Sequence, residues 1–68
     1  MITYFCNDGV ITRAERNSGL FQTRSYRTGS WVTTKDPRLI QKMLNGQGAI
    51  SQIKADQLFR DFKNNNIL

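Results

Sequence analysis

The chain has no histidine and a single cysteine, Cys6. Without histidine there is no side chain whose ordinary pKa lies near neutrality, so general acid–base catalysis loses its commonest agent. A structural zinc site takes about four Cys or His ligands, and one is on offer. A lone cysteine closes no intramolecular disulfide and fits a reducing compartment. No run approaches the roughly 18 consecutive apolar residues of a membrane span. A charged segment leading into an apolar stretch and a cleavage site is also missing. The expectation is a protein made and kept in a cytoplasm, free of membrane, metal and cofactor. Its 68 residues hold one domain, residues 1–68, which must be stabilised by a thin apolar core or by a partner.

Carboxylates are scarce: Asp8, Glu15, Asp36, Asp56 and Asp61. Asp8 belongs to a turn and Asp36 to a helix start, and Asp56 and Asp61 fall on different helical faces. No pair makes a glycosidase or metal constellation. Cys6 has no histidine to activate it and reads as a small hydrophobe on a strand. Asn45-Gly-Gln-Gly48 lacks the Lys-Ser/Thr and the preceding strand of a phosphate loop, and reads as helix punctuation. The sequence therefore points to a non-enzymatic protein.

What is present divides at Asp36. Before it, Ile2–Cys6 and Val10–Arg13 are rich in aromatic and β-branched residues and flank Asp8-Gly9, a hairpin turn signal. Leu20–Tyr26 and Ser30–Thr34 flank a second turn at Thr28-Gly29. Residues 1–34 thus read as two β-hairpins forming a small antiparallel sheet. After it the apolar period changes. Asp36-Pro37 is an N-cap followed by proline at the first helical position. Leu39, Ile40, Met43 and Leu44 form a helical stripe that ends at Asn45-Gly46, which gives a helix over 37–45. Gln47–Ile50 reads as a connector. Ser51 caps a second helix over 52–64, whose Ala55, Leu58, Phe59 and Phe62 make an apolar face. The fold class is α+β, with two short helices packed on one face of the sheet.

Ten Lys and Arg face five Asp and Glu, a net charge of +5. Such a balance attracts nucleic acid, acidic membranes or acidic proteins, and also simply keeps a small protein soluble. Arg13, Arg16, Arg24 and Arg27 interleave with Phe21, Tyr26 and Trp31. Lys35 and Arg38 stand at the first helix start, where free N–H groups favour anions. These six cations form a candidate nucleic-acid surface, with guanidinium groups for phosphates and rings for bases. The alternative is a solvated edge around core aromatics. Tyr26, Arg27 and Trp31, residue types enriched at interface hot spots, form a candidate partner-binding cluster, with Ile67 and Leu68 as a tail for a neighbour's pocket. Trp31 as plain core is the competing assignment.

The segment Gly29-Ser-Trp-Val-Thr-Thr-Lys-Asp-Pro-Arg-Leu-Ile-Gln-Lys-Met-Leu44 resembles a strand-to-helix unit of small tailed-phage virion-associated proteins. In these a hairpin strand ends in Thr, and Asp or Asp-Pro opens a helix carrying Ile and Leu. The match covers about a quarter of the chain. It departs from the pattern in being basic where those helices are acidic. The resemblance implies a head- or tail-associated structural protein that docks on a larger assembly as an oligomer or hetero-complex. Two other functions fit the same residues: a basic nucleic-acid-binding protein, and a small inhibitor of a host enzyme of the anti-defence type.

Overall fold

The computed structural model describes residues 1–65. Five strands form one antiparallel sheet: β1 (Thr3–Asn7), β2 (Val10–Glu15), β3 (Leu20–Arg24), β4 (Trp31–Thr33) and β5 (Ala49–Ile50). Their spatial order is β4-β3-β2-β1-β5. Helices α1 (Pro37–Leu44) and α2 (Gln52–Asn65) complete the α+β fold.

Local chemistry explains each element. Asp8 and Gly9 both take positive φ, 53° and 79°, so a two-residue turn joins β1 to β2 with Asn7 opposite Val10. Asp36 accepts the Arg38 N–H at 2.9 Å, and Pro37 opens α1 where an N–H would have no helical partner. Gly46, at φ 71°, ends the helix by donating its N–H to the Met43 carbonyl. Ser51 Oγ accepts the Lys54 N–H at 3.1 Å and starts α2. Arg16 reaches back from the β2–β3 loop to the Leu44 carbonyl at 2.7 Å, placing a cation on the negative end of α1.

Two features differ from the sequence expectation. The helices lie on opposite faces of the sheet, one each. Phe5 and Ala14 point to one face, where Met43, Leu39 and Ile40 of α1 cover them together with Phe21. Ile11 points to the other, under Ala55 and Phe59 of α2, with Tyr4, Cys6, Ile50, Leu58 and Phe62 around it. Successive strand residues alternate between faces, and in β1 and β2 both alternate sets carry apolar residues, Phe5, Val10 and Ala14 on one side and Tyr4, Cys6 and Ile11 on the other. A sheet so patterned has two faces to bury and takes a helix on each. The second difference is the connector: Ala49 and Ile50 pair with Phe5 and Tyr4 as an edge strand.

Gly48 makes that edge pairing fit. Its carbonyl accepts the Cys6 N–H at 2.9 Å, its φ is 77°, and a Cβ there would stand 2.4 Å from the Cys6 carbonyl oxygen. Gly48→Ala is expected to cost roughly 1–3 kcal/mol through backbone strain and loss of β5 registry. Urea denaturation measures it, and amide exchange at Cys6 should quicken. On the α1 face, Thr12 is 2% exposed and its Oγ1 has no hydrogen-bond partner among the described residues. Thr12→Val removes an unpaired hydroxyl at nearly constant shape. A gain of about 1 kcal/mol is expected, read as a Tm rise of roughly 4–8 °C.

Candidate binding surfaces

The candidate residues are distributed unequally by this fold. Tyr26 is turned inward. Its ring stacks on Phe59 at a 5.0 Å centroid distance and 4° between planes, and its hydroxyl donates to the Gly9 carbonyl. It clamps the β1–β2 turn to α2 and presents little to a partner. Arg27 is exposed at the tip of the following turn. Ile67 and Leu68 lie outside the described residues.

Trp31 is half-buried on the α2 side of the sheet. Tyr4 meets it edge-on at 6.0 Å. The Arg13 guanidinium lies over its ring at 4.2 Å and donates through Nε to Gln22 Oε1 at 2.7 Å. Arg24 sits between two rings, 5.6 Å from Trp31 and 3.9 Å from Phe59. It also bonds the Gly29 carbonyl at 3.0 Å and Asp56 at 3.2 Å. Cation–π contact and hydrogen bonds therefore hold the two guanidinium groups in place.

Strand register explains the gathering. Arg13 stands opposite Gln22, and Arg24 opposite Trp31, so β2, β3 and β4 place all four on one face. Beside them runs the flank of α2. An open groove of about 530 Å³ lies between, lined by Arg24, Ile53, Asp56, Phe59, Arg60 and Lys63. Ile53 is 81% exposed. The remaining sequence candidates do not join this surface. Arg16 is committed to the end of α1, and Lys35 and Arg38 are exposed at its start, an element on the opposite face of the sheet. Sequence reasoning assigned no binding role to Ile53, Arg60 or Lys63. Their signal was present: residues 53, 56, 60 and 63 recur at i, i+3, i+7 and i+10, a second helical stripe beside the apolar one.

A second open feature is the edge strand β4. Thr34 donates its N–H to the Phe21 carbonyl at 2.9 Å, and Ser30 accepts from Ser25. Antiparallel alternation therefore turns the backbone groups of Val32 toward β3 and those of Trp31 and Thr33 outward. Val32 is 51% exposed beside them.

Among the described residues no three His, Cys, Asp or Glu side chains gather as a metal-ligand set, and no helix is long and apolar enough to cross a membrane. No family model matches the chain, and no curated protein or solved structure was found similar to it.

Burial, and secondarily the nearby Cys6, push the Tyr26 phenol above its ordinary 10.0. A raised pKa in the folded state means the contribution is whole below about pH 10 and is lost as pH climbs through the folded value. Tyr26→Phe is expected to cost about 1 kcal/mol near neutrality by losing the bond to Gly9. It should also flatten the fall in stability above pH 10, a difference that paired urea titrations at neutral and alkaline pH detect.

Proposed function

We propose that this chain is a small non-enzymatic docking component of a larger protein assembly, of the tailed-phage virion type, and that it joins its partner along β4. The observation carrying this reading is the outer edge of β4, which no strand among the described residues pairs, within the Gly29–Leu44 unit. That unit consists of a three-residue edge strand, an Asp36 cap and an eight-residue helix. The outward N–H and C=O of Trp31 and Thr33 offer a partner strand its ladder, and Val32 adds an apolar contact. An edge this short has little hold on its own kind, which favours a partner that supplies further surface. The thin core supports the same reading, since six apolar residues are fully buried among those described.

Thr33→Pro separates docking from folding. The Thr33 N–H points outward and has no role in pairing with β3, so its loss leaves the internal ladder intact. The variant is expected to melt within a few degrees of the parent, yet to lose at least about tenfold in affinity for the assembly. Co-sedimentation of the tagged chain with virions from its own host reads the outcome. A chain absent from particles and bound to a single host protein would mark an inhibitor instead.

A further inference from the structure

We infer that the groove between β3 and the flank of α2 binds the backbone of single-stranded nucleic acid. This goes beyond docking along β4, and the groove is lined by residues of β3 and α2 rather than of β4. Charge is the first argument. Three cations, Arg24, Arg60 and Lys63, line the groove against one carboxylate, Asp56. Asp56 is engaged by Arg24 at 3.2 Å, and among the described residues no carboxylate pairs with Arg60 or Lys63. The groove thus carries unspent positive charge on a chain of net charge +5. Phosphate groups at Arg60 and Lys63 complete it.

Apolar surface beside the charge is the second argument. Ile53 stands 81% exposed at the groove, and Arg24 continues its floor toward the half-buried Trp31. Single strands are held by this combination, a cationic track flanked by surfaces on which bases rest, with guanidinium planes themselves serving as platforms. An acidic peptide would use the cations and leave the exposed Ile53 without a contact. Duplex DNA calls for a convex element that enters a groove, whereas this surface is concave.

The test is fluorescence anisotropy with a labelled oligothymidylate of about twelve nucleotides, within the usual site size. Two phosphate contacts give a log–log salt slope of about −1.4, or roughly sevenfold weaker binding between 50 and 200 mM salt. Arg60→Glu with Lys63→Glu is expected to lower affinity at least about tenfold. Arg60 is exposed and Lys63 partly exposed on the groove flank of α2, and neither belongs to the buried core, so circular dichroism should be unchanged. Arg38→Glu with Lys35→Glu makes the same change in net charge at the start of α1 and should alter affinity less than about twofold. Equal losses in the two pairs would overturn the proposal in favour of diffuse basic charge. No uptake of the oligonucleotide, or tighter uptake of an oligoglutamate of equal charge, would also overturn it. Thr33→Pro should leave oligonucleotide binding intact, which keeps failure here distinct from failure of docking along β4.

Discussion

The structure depends on the pairing of β1 with β2, two strands that carry apolar side chains on both faces. Phe5 and Ile11 are 1% and 0% exposed and point in opposite directions from one hairpin. Each is worth roughly 1.5–3 kcal/mol of burial only if a helix lies over it. Two helices are therefore recruited, and the sheet becomes the middle layer. In a chain this short, a single helix could not have covered both residues, and leaving either one bare would forfeit a large part of a marginal stability.

Much of this was legible in the residues. Asp8-Gly9, Asp36-Pro37, Asn45-Gly46 and Ser51 each announce a turn or a helix boundary through their own backbone chemistry, and each lies where it announces. The layer arrangement was harder to read. Alternation assigns faces only when one face is polar, and Tyr4-Phe5-Cys6 and Val10-Ile11 are unbroken apolar runs. Such runs are themselves the mark of burial on both sides. Ala49-Ile50 was beyond reach for another reason. Two residues carry no period, and their strand character comes from Tyr4 and Phe5, far away along the chain.

The basic surface shows the same division between local and tertiary information. The composition reveals ten cations without saying which are free. Arg16 serves the end of α1, while Arg13 and Arg24 are packed against rings. Those left available on the α2 side belong to the helix flank, where a stripe at helical spacing becomes a groove wall only because α2 lies next to β3. Interleaving of arginine with aromatics along the strands thus pointed to Arg13, Arg24 and Trp31, which strand register gathers on one face, and gave no view of the α2 flank beside them.

The late position of β5 has a consequence for synthesis. The strands β1 to β4 form a meander of neighbouring pairs, available as soon as the first half of the chain has emerged from the ribosome. The strand that shields the outer edge of β1 is built from Ala49 and Ile50, and the helix that roofs Ile11 follows it. Until they appear, the most apolar strand of the sheet stands as an open edge beside an uncovered face. The nascent chain is then at its most adhesive. Small size keeps that interval short, because at 5–20 residues per second the missing segment follows within seconds.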